Sequence, residues 1–378
     1  MILYPLPHPD VEILGASGFF RSGYGLRPRR LPQPAFNQVP TRSMGLMVEA
    51  ASGVRLRFST EAVELELDAF VFAIQLESLM EQPFTATVDL VVDGRLVKTS
   101  VVDSGVGFMP STADDPRLRP TDRVSTIHFG PLPTGRKLIE VWLPHNAVVD
   151  LCELRADAPV RPAGPTGQPI WIHHGSSISH SLEATHPTGT WPAVAALQAD
   201  LELWDMSFAG NALLDPFVAR TIRDCPADLI TLKLGINLVN ANSMSMRSFV
   251  PAVHGFLDTI RDGHPETPMV VISPIICPAV ETTAGPTAIN RDTGRVVSLS
   301  DTPQPGEGEL TLTRIRESLA SIVEQGDEAD ALLSYLDGRE LLGDDDVGHL
   351  HDGLHPDPAG YQLIGDRFAQ FLRTADLA

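Results

Sequence analysis

An acidic residue and a histidine lie three positions apart near the end of the chain, in the stretch Asp352-Gly353-Leu354-His355. At this spacing the carboxylate can accept a hydrogen bond from Nδ1–H of the imidazole, which leaves Nε2 free to act as a base. A base of this kind needs a nucleophile, and Gly175-Ser176-Ser177-Ile178-Ser179 offers hydroxyl groups directly after an apolar run. The pattern predicts a serine acyl-transfer enzyme in which His355 removes the proton of one of these hydroxyls and an acyl-serine forms.

Two further positions could stabilise the oxyanion of such a reaction. Gly210 offers a backbone N–H and Asn237 offers a side-chain amide, and each follows an apolar, strand-like run. With the N–H of Ser177 they make a candidate oxyanion hole. Taken alone, each would be an ordinary turn residue. Ser176 and Ser179 are competing hydroxyls, so the choice of Ser177 depends on a family resemblance given below.

The chain has two halves with different sequence patterns, and the candidate residues all lie in the second half. From about residue 46 to 155, apolar and polar residues alternate, as strands with one solvated face do. Val92-Asp93-Gly94-Arg95 is a plausible hairpin turn. We predict an all-β sandwich, jelly-roll-like, over residues 1–157. A Pro- and Gly-rich linker is predicted over 158–169.

After the linker, short apolar strands alternate with helix-like stretches over residues 170–378, which predicts an α/β domain with a parallel sheet and helices on both faces. Ligands in such domains bind beyond the carboxyl ends of the strands, where the candidate residues fall. Residues 279–308 lack periodicity and are expected to form an irregular insertion over or beside the site. The predicted strands include 170–172, 201–206, 229–234 and 269–272, and the predicted helices include 251–261 and 312–319.

The joint pattern over residues 170–378 resembles the SGNH (GDSL-type) hydrolase superfamily. The four matching blocks are Gly175-Ser176-Ser177-Ile178 for the nucleophile, Gly210 for the second-block glycine, Gly235-Ile236-Asn237 for the Gly-x-Asn block and Asp352-Gly353-Leu354-His355 for the Asp-x-x-His block. The resemblance implies a flavodoxin-like three-layer α/β/α domain. It also implies the following roles: Ser177 as nucleophile, His355 as base, Asp352 orienting His355, and the Ser177 N–H, the Gly210 N–H and the Asn237 amide as oxyanion hole.

Two positions depart from the family pattern. Ser176 stands where the family usually has Asp, and Leu238 stands where an Asp usually follows the Gly-x-Asn block. The triad is intact, but substrate preference cannot be transferred from the family. The two-part layout is similar to SGNH enzymes with an N-terminal β-sandwich that resembles a carbohydrate-binding module. One such enzyme, from antibiotic biosynthesis, would move an acyl group from a coenzyme A thioester to a polyketide hydroxyl.

The sequence leaves the acyl acceptor open between an alcohol and water, so a plain esterase or carbohydrate deacetylase is the alternative to an acyltransferase. The expected partners are a small-molecule acyl donor, either an ester or an acyl-coenzyme A, and that acceptor. No metal or organic cofactor is expected. Of the formal net charge of −20, −17 falls after residue 165. This acidic half argues against nucleic acid or an anionic membrane as partner.

The length and the cysteine content of the chain indicate its number of domains and the state of its thiols. A chain of 378 residues suits two domains, and its 43% hydrophobic residues suffice for a sizeable core. Cys152, Cys225 and Cys277 are far apart and are expected to be reduced, buried thiols. Residues 1–8 lack the pattern of a signal peptide, and no apolar run reaches 18 residues. We expect a soluble, cytoplasmic protein.

Two rival interpretations stay open at this point. A metal enzyme would use the acid and histidine cluster Asp344, Asp345, Asp346, His349, His351, Asp352 and His355, and would need a second ligand set such as His173-His174. A carbohydrate-binding protein would use exposed aromatics, with Phe19, Phe20, Tyr24 and Trp142 as candidates. Nucleotide binding has little support, because no Gly-rich phosphate loop follows a strand. The Gly-x-Ser-x-Gly elbow of ordinary α/β-hydrolases is absent from the sequence.

Overall fold

The structure is a computed structural model. It describes residues 1–76, 83–109, 118–119, 123–301, 304–327, 330–375 and 377. The chain divides into two compact units, which are Met1–Gln168 with Ala184–Ala193, and Pro169–Glu183 with Val194–Ala378. The segment 184–193, which the sequence pattern places in the α/β half, therefore belongs to the first unit.

The first unit is built mainly from β-strands. In chain order they are β1 (Ile2–Pro5), β2 (Glu12–Leu14), β3 (Gly18–Arg21), β4 (Leu26–Arg29), β5 (Arg55–Thr60), β6 (Leu65–Leu76), β7 (Thr87–Val92), β8 (Arg95–Val101), β9 (Gly105–Met109), β10 (Leu118–Arg119), β11 (Ser125–Phe129), β12 (Lys137–Trp142), β13 (Ala147–Ala156) and β14 (Val160–Arg161). Helices α1 (Gln33–Phe36) and α2 (Arg42–Glu49) lie between β4 and β5, and Pro187–Gly189 forms a short 3-10 turn.

These strands form two sheets. One has the order β10-β9-β6-β13-β4-β3, with β1 paired to β13 and β11 to β6, and the other has the order β14-β5-β12-β7-β8, with β2 paired to β5. Apart from the parallel pair β6–β9, the described pairs in both sheets are antiparallel. One buried apolar cluster takes side chains from both sheets, for example Phe58 of β5 and Leu67 of β6. The alternation seen in the sequence therefore directs one face of each sheet into a shared core.

Two local predictions for this unit, the hairpin turn and the linker, can be compared with the structure. Strands β7 and β8 pair antiparallel across Asp93 and Gly94, so the predicted hairpin turn is confirmed. Both turn residues have positive φ, at 48° and 76°, as a two-residue hairpin of matching twist requires. Within the predicted linker, strand β14 pairs with β5, so part of that segment completes a sheet.

The second unit holds a parallel sheet. Its strands are β15 (Ile170–His174), β16 (Glu202–Asp205), β17 (Leu229–Lys233), β18 (Met269–Ile272) and β21 (Leu333–Leu336), in the order β16-β15-β17-β18-β21. Strands β19 (Thr287–Ile289) and β20 (Val296–Ser298) form a separate antiparallel hairpin. The helices are α3 (Ser177–His180), α4 (Trp191–Ala199), α5 (Pro216–Asp224), α6 (Ile236–Asn240), α7 (Met246–Arg261), α8 (Leu312–Asp327) and α9 (Pro358–Thr374), with 3-10 turns at Gly338–Glu340 and Asp344–His349. The first three residues of α4 belong to the first unit.

Helices pack against both faces of the parallel sheet. Trp171 of β15 stacks on Phe368 of α9, with ring centroids 5.2 Å apart, whereas His174 of the same strand lies 5.7 Å from Phe256 of α7. Side chains three positions apart on a strand point to opposite faces, so α9 and α7 lie on opposite sides of the sheet. The prediction of a β-rich part followed by an α/β part with a parallel sheet is confirmed.

Helix α9 sets the position of the loop that precedes it. Pro358 occupies its first position, and the Asp357 side chain accepts a hydrogen bond from the Gly360 N–H at 2.7 Å, which caps the helix. Its buried side chains include Tyr361, Ile364, Phe368 and Leu372, which recur every three or four positions and so lie on one face of the helix. His355 therefore lies just before a helix that is fixed at its start and packed along its length.

Residues 279–308 are more ordered than their composition suggests. The prediction of an irregular segment is wrong in part, because β19 and β20 pair within it, while residues 302 and 303 lie outside the described residues. Turn-rich composition hides such a short hairpin, because each strand has only three residues. Among the helices in the described ranges, none is long and apolar enough to cross a membrane.

Candidate active site

The turn that carries the candidate nucleophile, Ser177, connects β15 to α3. A Cβ at Gly175 would lie 2.3 Å from Ser179 Oγ, so only glycine lets the turn close this tightly. The Ser176 side chain accepts a hydrogen bond from the Ile178 N–H at 3.3 Å and so caps α3. Ser177 follows as the first helical residue, half-buried, and its own N–H donates no hydrogen bond in the described part of the chain.

The three serines of this turn have different partners. Ser177 Oγ lies 2.9 Å from His355 Nε2. Ser179 Oγ instead lies 2.8 Å from Nε2 of His173 inside the protein, and Ser176 acts as the helix cap. Of these competing hydroxyls, Ser177 is therefore the one that the structure brings to the candidate base.

Asp352 holds His355 from the other side. Its Oδ2 lies 2.7 Å from His355 Nδ1, while Oδ1 accepts hydrogen bonds from the backbone N–H groups of Leu354 at 2.8 Å and His355 at 2.7 Å. Burial raises the pKa of the Asp352 carboxyl, but these hydrogen bonds and the nearby imidazole outweigh it and hold the pKa well below its usual range. Asp352 is therefore ionised at neutral pH and fixes the ring with Nε2 toward Ser177.

A second carboxylate acts on the same imidazole. Burial lowers the pKa of His355, but the charge of Glu183, together with the hydrogen bond and charge of Asp352, raises it above its ordinary value. Glu183 in turn accepts a hydrogen bond from the hydroxyl of Tyr361 at 2.6 Å. No spacing in the sequence relates Glu183 or Tyr361 to His355, so neither residue was predicted as part of the site.

Asn237 and Gly210, the two oxyanion-hole candidates, lie on segments that are hydrogen-bonded together. Oδ1 of Asn237 accepts a hydrogen bond from the Ala212 N–H at 3.0 Å, which orients the amide and leaves Nδ2 without a partner among the described residues. Gly210 is exposed, and its N–H likewise donates no hydrogen bond to that part of the chain. The Phe208 N–H donates a hydrogen bond to the Gly175 carbonyl at 2.9 Å, so the Gly210 loop is attached both to the turn that precedes Ser177 and to α6.

Gly235 allows α6 to begin directly after β17. Its φ is +121°, a conformation that side chains rarely adopt, and a Cβ there would lie 2.6 Å from Ile315 Cγ2. Asn237 is the second residue of α6 and is 4% exposed. The amide is therefore held on a rigid element, as a preorganised hydrogen-bond donor should be.

The loop that carries Asp352 and His355 is also held from the side. The Val296 N–H of β20 donates a hydrogen bond to the Asp352 carbonyl at 2.8 Å, and the thiol of Cys277 donates one to the Gly353 carbonyl at 3.4 Å. Burial raises the pKa of Cys277 to about 12, so this thiol stays protonated and keeps its hydrogen-bond donor. The hairpin of the 279–308 insertion is thus in direct contact with the acid of the site.

A fully buried lysine lies next to the Gly-x-Asn block. Lys233 ends β17, is 2% exposed, and its Nζ has no hydrogen-bond partner among the described residues. Burial, and to a smaller extent the charge of Arg316, lowers the pKa of Lys233 to about 7. Sequence pattern alone gives no signal for this burial, because a lone lysine in a strand is usually solvated.

The residues of the metal-enzyme interpretation do not converge. Asp346 pairs with Arg367 at 2.5 Å, and His349 lies 3.3 Å from Asp357. His173 and His174 are consecutive residues of β15 and so point to opposite faces of the sheet. In the ranges that the structure describes, no three His, Cys, Asp or Glu side chains are grouped so that they could hold a metal ion.

The aromatic residues of the carbohydrate-binding interpretation differ in their exposure. Trp142 is 2% exposed, and the guanidinium of Arg55 lies over its ring at 4.7 Å, so it cannot stack on a sugar. Phe19, Phe20 and Tyr24 are each more than one-third exposed, at 48%, 41% and 37%. Part of that aromatic set is therefore available on the first unit.

The chain is similar to several solved structures over most of its length. One is a salicylyl acyltransferase from a tetracycline biosynthetic pathway, with 25% identity and a TM-score of 0.83, covering 100% of this chain and 98% of that one. A GDSL-like lipase from Bacteroides ovatus has 17% identity and a TM-score of 0.69, covering 99% and 97%. A family two carbohydrate esterase from Clostridium thermocellum, solved with cellohexaose, has 14% identity and a TM-score of 0.58, covering 86% and 93%.

No protein-family model matches the chain, and no curated protein sequence matches it. The lipase and the carbohydrate esterase share the fold, whereas the acyltransferase also shares a quarter of the residues over the whole chain. The resemblance drawn from the four sequence blocks is thereby confirmed. The chain resembles enzymes of the SGNH (GDSL-type) hydrolase superfamily in fold and in sequence pattern, and it is an enzyme of the acyltransferase or esterase kind.

Proposed function

We propose that the chain is a serine acyltransferase that moves an acyl group from an ester or a coenzyme A thioester to an alcohol, through an acyl group carried on Ser177. The observation that carries this proposal is the continuous path of hydrogen bonds from Ser177 Oγ to His355 Nε2, at 2.9 Å, and from His355 Nδ1 to Asp352 Oδ2, at 2.7 Å. This geometry suits proton transfer to a base whose other nitrogen is held by a carboxylate.

In the first step, His355 takes the proton of Ser177 as Oγ attacks the carbonyl carbon of the donor. The oxyanion receives hydrogen bonds from the N–H groups of Ser177 and Gly210 and from the amide of Asn237, whose donors are unoccupied in the described chain. The C–O or C–S bond to the leaving group then breaks, and the leaving alcohol or thiol takes the proton from His355. An ester of Ser177 remains.

In the second step, an acceptor hydroxyl loses its proton to His355 and attacks the ester of Ser177. The same donors hold the second oxyanion, and Ser177 regains its proton when the product leaves. Support for an alcohol acceptor comes from the similarity to the salicylyl acyltransferase. We infer that the acyl group is an aryl group of the salicylyl kind and that the acceptor is a hydroxyl of a polyketide. We also infer that the first domain is jelly-roll-like and the second flavodoxin-like.

The second candidate function is a carbohydrate esterase or deacetylase, in which water takes the acyl group. It is supported by the shared fold with the carbohydrate esterase solved with cellohexaose and by the exposed rings of Phe19, Phe20 and Tyr24. The chemistry at Ser177 is the same in both functions, so the identity of the acceptor separates them.

The test is intact-protein mass spectrometry after incubation with salicylyl-coenzyme A. Wild type is expected to gain the mass of one acyl group, Ser177→Ala is expected to gain none, and Ser176→Ala, the neighbouring control, is expected to retain the adduct. An adduct on Ser177→Ala would refute the assignment of the nucleophile. The acylated protein is then incubated in three ways: in buffer alone, with a phenolic polyketide, and with a sugar that carries no acetyl group. Faster loss with the polyketide supports the transferase, and equally fast loss in buffer supports the esterase.

A further inference from the structure

The same two chain segments are joined by two hydrogen bonds. Ser177 contacts His355 at 2.9 Å, and Glu183 accepts a hydrogen bond from Tyr361 at 2.6 Å. Both pairs are separated by 178 positions, so residues 177–183 and 355–361 are connected at each of their ends. The nucleophile and the base thus belong to a closed ring of covalent chain and hydrogen bonds.

The first of these segments, residues 177–183, depends on tertiary contacts for its position. Helix α3 has four residues, too few for a helix that is stable without tertiary contacts. It ends at Ser181, which has a positive φ of 55° and is fully buried. The second segment is the loop residue His355 and the first turn of α9. The contact between Glu183 and Tyr361 therefore fixes a short, strained segment to the start of a well-packed helix.

In the hydrogen bond between Tyr361 and Glu183, the tyrosine is the donor and the carboxylate is the acceptor. Tyr361 is fully buried, and burial together with the Glu183 charge raises the pKa of its hydroxyl, so it stays protonated and donates. Glu183 accepts and is half-buried. A buried, neutral donor on a carboxylate holds the carboxylate in place without cancelling its charge.

The groups that face the imidazole of His355 are the following. Asp352 and His351 approach it from its own loop, with the ring of His351 at 6.3 Å between centroids, and Ser177 approaches it from α3. The negative charge of Glu183 acts on it from the segment after α3. Asp352 therefore contacts this ring directly, whereas Glu183 acts on it only through its charge, and the ring must become positive during the reaction.

We propose that Glu183 and Tyr361 form a second positioning pair for the acyl-transfer reaction. Tyr361 fixes the carboxylate of Glu183 and joins the segment that follows Ser177 to the helix that follows His355, so that the charge of Glu183 supports Asp352 in stabilising the imidazolium formed when Ser177 loses its proton. This inference rests on the function proposed above. Glu183 acts through the base and not on the substrate, so it is expected to change the rate and its pH dependence with little effect on KM.

Two conservative variants separate the charge from the hydrogen bond. Glu183→Gln keeps an oxygen that can accept from Tyr361 but removes the charge, whereas Tyr361→Phe keeps the charge but removes the hydrogen bond. Glu317→Gln, which removes one exposed carboxylate from α8 of the same unit, is the matched control. Thermal unfolding of each variant shows whether the fold is retained.

The first readout does not need catalysis. In protein labelled with 15N-histidine, the signal of His355 is identified by its loss in His355→Asn, and its pKa is measured by NMR titration. The pKa is expected to fall in Glu183→Gln and to stay unchanged in Glu317→Gln. An unchanged pKa of His355 in a folded Glu183→Gln protein would overturn the inference.

The second readout is hydrolysis of 4-nitrophenyl acetate. Glu183→Gln and Tyr361→Phe are each expected to lower kcat by about tenfold, the effect of roughly one lost charge-assisted interaction, with KM retained. A double variant no worse than either single variant would show that the two residues act as one unit. Full additivity would contradict the pairing. Because the titration of His355 is independent of turnover, a failure of the proposed function, seen as absent acylation, is distinguished from a failure of this inference.

Discussion

Replacing Lys233 with methionine should stabilise the protein in a pH-dependent way. The ammonium of Lys233 is buried without a hydrogen-bond partner among the described residues, and its pKa is lowered to about 7, mainly by burial. In the unfolded chain a lysine has a pKa of about 10.4. Between these two values the unfolded state binds the proton more tightly than the folded state, so folding stability rises with pH across that range.

The size of the effect follows from the two pKa values of Lys233. Each pKa unit corresponds to about 1.4 kcal/mol, so the gap between about 7 and about 10.4 amounts to roughly 5 kcal/mol. Below pH 7, burying the charged lysine costs the folded state this full free energy. The cost shrinks as the pH rises and is absent above about pH 10.4. Methionine has a similar length and no charge, so Lys233→Met should gain about 4 to 5 kcal/mol near pH 7 and progressively less as the pH rises.

Urea unfolding of wild type and Lys233→Met at pH 6.5, 8 and 9.5 measures this difference. Lys98→Met removes an exposed lysine and should change the free energy of unfolding by less than about 0.5 kcal/mol at every pH. A gain from Lys233→Met that does not shrink with pH would show that the lysine does not titrate in this range. A loss of stability at pH 7 would show that Lys233 has a favourable interaction larger than the cost of burying its charge.

The remaining predictions concern the active site. Asn237→Ala should lower kcat by about 10²–10³, the usual loss of one oxyanion donor, and an effect confined to KM would contradict that role in steady-state kinetics. The kcat/KM profile should fall as the pH drops through a pKa above the usual histidine value, because His355 must be neutral and nearby carboxylates raise its pKa; a lower midpoint would refute this. Gly175→Ala should lower Tm, because its Cβ would meet Ser179 at 2.3 Å, whereas Gly255→Ala, with open space around it, should not.

The sequence predicted those strands, turns and contacts that are determined by residues close together in the chain. The predicted strands at 170–172, 229–234 and 269–272 coincide with β15, β17 and β18, because central parallel strands are continuous apolar runs. Asp352 and His355 could be paired from their spacing, since the interaction spans three residues. The turn at Asp93 and Gly94 followed from residue preference for positive φ.

Other features depend on contacts between distant parts of the chain. Glu183 and Tyr361 are 178 positions apart, so no pattern in one sequence relates them. The burial of Lys233 runs against residue preference and is imposed by the sheet and helices that surround β17. The choice among the serines at 176, 177 and 179 required the three-dimensional partners of each hydroxyl. The membership of segment 184–193 in the first unit likewise has no local signal.

The hydrogen bond from Val296 to the Asp352 carbonyl has a consequence for protein engineering. Insertions near an active site are the usual targets for loop exchange or shortening when a new substrate range is wanted. Here the inserted hairpin holds the backbone of Asp352, the acid of the proposed triad, so a library built by replacing residues 279–308 is expected to vary the alignment of His355 together with the specificity. Grafts should keep β20 with its backbone donor to Asp352 and also Glu281, which pairs with the buried Arg316 at 2.6 Å.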